Sequence, residues 1–202
     1  MKNSLTIVLV MIFSISAFSQ AKLPSVDQST LDMSYYPVNY PILKIQDKIT
    51  EPLVARVLYS RPQRNGRVVF GELVDYEKVW RLGANEATEL EFFKDVIFGG
   101  KPVAKGRYTL YAIPFLNSWT VIINTETDTW GSFKYDIKKD LVRVDVPVQK
   151  LSETADVLSV YFEKTAAGFN LFGVWENTTV SIPITIAAKA PVKAPSKPVK
   201  KK

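Results

Sequence analysis

The chain predicts an all-β fold: a single antiparallel β-sandwich, jelly-roll-like or barrel-like, with at most one or two short helical turns. Three observations carry this. Apolar residues recur with a period of two, turn signals separate the runs at spacings of roughly 10 residues, and a single segment has helical character. In chain order, "ELEFF" points Leu90 and Phe92 to one face, and "RYTLYAI" does the same with Tyr108, Leu110 and Ala112. "WTVIIN" is apolar on both faces, which predicts a central strand. "LVRVDVPV" alternates Val142, Val144, Val146 and Val148 with Arg143 and Asp145, and "VLSVYF" aligns Leu158, Val160 and Phe162. "TVSIPITI" closes the series with Val180, Ile182, Ile184 and Ile186, and its outward Pro183 predicts an edge strand. Turns are expected at Gly99-Gly100, Lys105-Gly106, Asn117-Ser118, Trp130-Gly131 and Ala167-Gly168. "DYEKVWRLG" is the segment with helical character, with Gly83 as its stop.

The termini read differently from this body. Residues 1–19 have a short positive start, an apolar run of about 14 residues and a small-x-small pattern at Ala17-Phe18-Ser19, the organisation of a cleaved signal peptide. That run is shorter than the roughly 20 residues a spanning helix needs, so no transmembrane span is expected in the mature chain. The domain plan is then a signal peptide (1–19), a flexible N-terminal segment (20–28), one β-sandwich domain (29–186) and a Lys/Pro/Ala-rich tail (187–202), with export to the periplasm or beyond. Lys2 and the six tail lysines, Lys189, Lys193, Lys197, Lys200, Lys201 and Lys202, account for seven of the 26 basic residues. The body therefore holds 19 cations against 20 carboxylates, and the basic character belongs to the tail. A Pro/Ala/Lys composition buries little apolar surface, so the tail is expected to be disordered. Its partners would be an anionic envelope polymer or lipid head groups, or an envelope protein, and not nucleic acid.

Composition closes several chemistries. With no histidine and no cysteine there is no Ser-His-Asp or Cys-His arrangement, no thiolate or histidine metal site and no disulfide. No glycine-rich loop follows a strand and opens a helix, so no nucleotide cofactor is expected. "NTETDTWG" alternates Asn124, Glu126 and Asp128 like a calcium loop, yet lacks the glycine at its sixth place and the distal glutamate. It reads as a hairpin turn, and no metal is expected.

The stretch "VWRLGANEATELEFF" leads an aromatic and a cation into a polar knot. Asn85-Glu86 matches the Asn-Glu pair of some retaining glycosidases, with Glu72, Asp75, Glu91 and Asp95 as candidate second carboxylates. The competing reading is a structural or binding loop in which Arg81 pairs with Glu86 and Asn85 adopts a left-handed turn. One unpaired glutamate is not a mechanism, so no catalytic residue is assigned.

The segment from Tyr59 to Asn124, with "WGSFKYD", "DLVRVDVPVQKL" and "VWENTTVSIPI", resembles the bacterial domain of unknown function 2911 family, common in exported proteins of Bacteroidota. The shared motifs include Ser60-Arg61-Pro62, Gly66-Arg67, Val79-Trp80-Arg81, residues 83–88 and Trp119-Thr120-Val121. The chain departs from the family pattern at Gln63-Arg64-Asn65 and in its lysine tail. The resemblance implies an envelope β-domain and no activity. Core packing does not require Arg61, Arg67, Arg81, Asn85 or Glu86, so these polar residues with Trp80 form the candidate binding cluster, expected to converge at one sheet end. Three functions follow: a non-catalytic binding or envelope module first, a carboxylate-dependent hydrolase or lyase of envelope carbohydrate second, an accessory subunit of an outer-membrane assembly third.

Overall fold

Alternation of inward and outward side chains generates ten strands, described by a computed structural model for residues 23–188. The predicted signal segment and the six tail lysines lie outside the described residues. The strands are β1 (Leu31–Tyr36), β2 (Ala55–Ser60), β3 (Glu89–Phe92), β4 (Val96–Phe98), β5 (Lys101–Val103), β6 (Gly106–Pro114), β7 (Ser118–Asn124), β8 (Asp140–Pro147), β9 (Gln149–Lys164) and β10 (Phe169–Ile186). They form a six-stranded sheet, ordered β1-β2-β3-β6-β7-β8, and a four-stranded sheet, ordered β5-β4-β10-β9, with every pairing antiparallel. The fold is an all-β sandwich and does not close into a barrel.

The faces follow the sequence pattern. Leu90, Phe92, Leu110, Val121 and Val142 of the larger sheet meet Leu158, Val160, Phe162, Val180 and Ile182 of the smaller one in a single core. β7 is interior, and its outward Ile122 is buried too, in a second cluster with Tyr111 and Ala87. That is why "WTVIIN" is apolar on both faces. Between the sheets four aromatic rings interlock. Phe70 and Trp80 each lie against Trp119 of β7, Trp175 of β10 and one another with centroids 5.2 to 6.4 Å apart, and Trp80 and Trp175 are stacked at 19°. Such pairs contribute about 0.5–1.5 kcal/mol each beyond the area they bury.

Two expectations are corrected. Residues 75–83 contain no helix: Glu77 and Leu82 have φ of 64° and 51°, and Trp80 instead exchanges both backbone hydrogen bonds with Ala112 of β6, at 2.7 and 2.9 Å. Tertiary pairing overrides the local propensity. Among the described residues the helical turns are α1 (Tyr40–Ile45), which carries proline in its first turn, and a 3-10 turn at Ile137–Lys139 capped by Asp136. Pro183 also does not mark an edge, because β10 lies between β4 and β9. The ladder to β4 begins at Ile184, so the missing N–H falls one residue outside it.

β10 folds back on itself. Asn170 Nδ2 donates to Ser181 Oγ at 2.9 Å, a contact impossible for residues this far apart along a straight strand rising about 3.3 Å per residue. The reversal occurs at Glu176, φ 56°, and brings Gly168 against the far end of the strand. A Cβ on Gly168 would lie 2.3 Å from the carbonyl oxygen of Ile184. Gly168→Ala is therefore expected to lower stability by about 1–3 kcal/mol in urea unfolding, through overpacking against backbone that has no rotamer to yield.

Candidate functional site

The polar knot is an excursion out of a strand. Trp80 pairs with Ala112 of β6, and Leu110 of the same strand donates its N–H to the Thr88 carbonyl at 2.8 Å, so residues 80 and 88 sit at successive positions of one antiparallel ladder. Residues 81–87 bulge out between them as a compact loop with closed ends. Thr88 ties the neck: its N–H donates to the Arg81 carbonyl at 3.1 Å and its hydroxyl to the Leu82 carbonyl at 2.7 Å. The loop then clamps the connection between β7 and β8. Ala87 N–H donates to the Thr129 carbonyl at 3.0 Å, Gly131 N–H donates to the Asn85 carbonyl at 2.9 Å, and Glu86 bridges Trp130.

The structure distributes the six predicted site residues instead of gathering them. Trp80 is a core ring whose Nε1 donates to the Gly83 carbonyl at 3.1 Å. Arg61 stitches the sheets at the edge of β9, donating to Asp32 Oδ2 at 2.9 Å, Ser159 Oγ at 3.0 Å and the Leu158 carbonyl at 3.2 Å. Arg67 closes its own turn on the carbonyls of Arg64 and Gln63, both at 2.8 Å. Asn85 adopts the left-handed conformation, φ 58°, and its amide donates to Asp27 Oδ2 at 2.8 Å. Among the described residues no ion pair or hydrogen bond joins any two of the six, so Arg81 does not pair with Glu86. Arg81 is half-buried, its Nε finds no partner, and desolvation lowers its pKa. The convergence expected beside Trp80 fails because Trp80 faces inward, while Arg61 and Arg67 belong to the chain crossing from β2 to the edge of β9.

Two members of the set line concavities: Arg67 borders one of about 370 Å³ beside Asp27 and Gln63, and Glu86 borders a larger one. On the outward face of the six-stranded sheet lies a groove of about 420 Å³ lined by Leu31, Leu58, Glu86, Glu89, Arg107, Asp128 and Thr129, among others. Register places Leu58 opposite Glu89 across β2 and β3, and Glu89 opposite Thr109 across β3 and β6. Arg107 pairs with Asp128 and approaches Glu89 at 3.9 Å, so one guanidinium faces two carboxylates. Motif reasoning missed Glu89 and Arg107, and met Asp128 only as part of the calcium-like run read as a hairpin turn. The signal available for Glu89 and Arg107 was their outward position in the very alternation that identifies the strands, whereas Asp128 lies in the connection between β7 and β8.

Residues 41–184 match the family described as a protein of unknown function, DUF2911. The chain belongs to that family. No curated protein and no solved structure matches it. Strand β1 precedes the matched DUF2911 region, yet supplies Leu31 to the groove and Asp32 to Arg61.

In this DUF2911 domain the wall beside the groove is held by a polar network. Asp140 accepts from Tyr135 Oη at 2.5 Å, Arg143 Nε at 2.7 Å and Asn124 Nδ2 at 2.8 Å, and Arg143 Nη2 donates to Tyr135 Oη at 2.6 Å. The segment read as a calcium-like turn closes locally, with Glu126 N–H donating to Asn124 Oδ1 at 2.9 Å. Among the described residues no three acidic side chains gather to hold a metal ion, and no helix is long and apolar enough to cross a membrane.

Desolvation, followed by the hydrogen bond to Asp140, pushes the Tyr135 phenol from 10.0 up to about 12. Because the folded value is raised, its stabilising contribution is complete below pH 10 and is lost as pH rises toward 12. Urea unfolding across that window is expected to show falling stability, with a shallower fall in Tyr135→Phe. Asn85→Ala should lower stability by about 1 kcal/mol, whereas Asn85→Gly leaves it nearly unchanged, because the left-handed backbone penalises a Cβ.

Proposed function

We propose that the protein is an exported, non-catalytic binding module of the cell envelope, periplasmic in location, whose ligand lies in the groove on the outward face of the six-stranded sheet. The observation that carries this reading is asymmetry. The inward face of that sheet is consumed by the core, while the outward face keeps a walled groove with apolar floor residues and paired charges. Small-molecule and oligomer sites have this composition: an apolar surface with a few placed polar groups. Export rests on the charged start and apolar run of residues 1–19.

A second reading, a carboxylate-dependent hydrolase or lyase, draws on the presence of Glu86, Glu89 and Asp128 around one groove. A glycosidase acid must stay protonated at neutral pH, which requires burial or a like charge nearby. Glu89 and Asp128 both face the Arg107 guanidinium, and Glu86 is exposed, so none of the three has the buried setting or the unpaired carboxylate neighbour that such an acid needs. Binding is the better fit to this electrostatic arrangement.

Capture of envelope material by the mature chain tests the proposal. Leu58→Arg is expected to abolish capture while the melting temperature holds, and truncation after Ile186 is expected to preserve it. Loss of capture on truncation alone, with Leu58→Arg unaffected, would transfer the binding role to the tail. Release of reducing ends that Glu86→Gln abolishes would establish the hydrolase instead.

A further inference from the structure

Beside the groove, sharing Asp128 and Thr129 with it, lies a second concavity of about 640 Å³ lined by Trp130, Phe133, Lys134 and Asp136, with Glu126 and Lys139. Trp130 is 61% and Phe133 84% exposed. Exposed aromatic rings on a mobile loop would mean little, but these two are anchored. The Trp130 backbone is bridged to Glu86, and its neighbours Thr129 and Gly131 are hydrogen-bonded to Ala87 and Asn85. The Phe133 ring lies over Gly131, where a Cβ would come within 2.7 Å of the ring and where φ is 66°. Behind them Ser132 Oγ donates to the Val79 carbonyl at 2.9 Å, and Tyr135 packs edge-on against Tyr111 at 5.3 Å. Rings held open to solvent by a fixed backbone incur little ordering penalty when something stacks on them.

We propose that the two concavities form one trough for a neutral polysaccharide, with Trp130 and Phe133 as the stacking platform and the Glu89–Arg107–Asp128 group as the hydrogen-bonding end. This rests on the reading of the outward groove as a binding site and names its ligand class. The apolar face of a sugar ring suits an aromatic surface, and each hydroxyl both donates and accepts. The trough offers both functions side by side, because Arg107 pairs with Asp128 and Glu89, and Lys139 pairs with Glu126. Its lining holds five carboxylates, Glu86, Glu89, Glu126, Asp128 and Asp136, against three cations, Arg107, Lys134 and Lys139. That balance disfavours a polyanion.

The arrangement of tryptophans supplies the test. The chain has four; Trp80, Trp119 and Trp175 are buried, so acrylamide quenching reports on Trp130. The full mature chain is titrated with soluble starch, mannan, xylan and hydroxyethyl cellulose, following quenching and affinity electrophoresis. At least one polysaccharide is expected to protect Trp130 from acrylamide, with little dependence on salt. Trp130→Ala should weaken binding about tenfold, the loss of one stacked aromatic contact. Phe133→Ala should weaken it measurably, and Tyr161→Ala, which removes an aromatic from β9, should not. No protection by any of the four, or unchanged affinity in Trp130→Ala, overturns the proposal. If Leu58→Arg still abolishes capture of envelope material in that case, the groove stands as a binding site and only the carbohydrate assignment falls. Binding that disappears at high salt or on truncation after Ile186 assigns it to the tail and likewise overturns the trough.

Discussion

Everything distinctive about this domain hangs on the packing of Trp80 against Trp119 and Trp175. Two of these rings come from facing sheets, and the third comes from the long connection between β2 and β3, which has no regular secondary structure of its own. A connection of that length pays heavily in conformational entropy unless a buried anchor holds it. The indole supplies the anchor, and the Trp80 backbone exchanges two hydrogen bonds with β6, one donated and one accepted. With no disulfide possible, apolar burial and backbone pairing must supply this order.

Once Trp80 and Thr88 are registered on β6, the intervening residues have a fixed neck and a defined exit toward the outer face. The loop is thereby a structural lever: inward it fills the core, outward it grips residues 129–131. Asn85 shows how the two roles meet. Its left-handed conformation turns the chain, its carbonyl holds Gly131, and its amide reaches Asp27 in the segment before β1. A residue that reads as a binding or catalytic group in the sequence holds a wall instead.

Charge is treated in the same economical manner. Arg61 and Arg67 are spent on carbonyls, a hydroxyl and one carboxylate, which satisfies the backbone where the chain crosses between sheets. The cation that faces the groove is Arg107, placed there by ordinary strand alternation. Its two carboxylate neighbours come from a strand and a loop separated by the whole of β6 and β7.

The sequence by itself determined β3 and β6 to β10, their inward faces and the excluded chemistries, because period-two alternation and the absence of histidine and cysteine are local facts; β1, β2, β4 and β5 were not legible in it. Val142, Leu158 and Ile182 are buried where alternation puts them. It did not determine the role of Trp80, whose "DYEKVWRLG" setting has helical propensity but is pulled into a bridge with Ala112, nor the reversal inside β10 at Glu176, a non-glycine left-handed residue. Only tertiary structure decided the groove, because its lining comes from five separate segments, with outward strand residues such as Leu58, Glu89 and Arg107 meeting Glu86, Asp128 and Thr129 of two loops. Pairing across strands is non-local, so neither spacing nor composition carries it. The same reason explains the candidate cluster: residues adjacent in a motif were sent to opposite sides of a sheet once the chain around Trp80 turned inward.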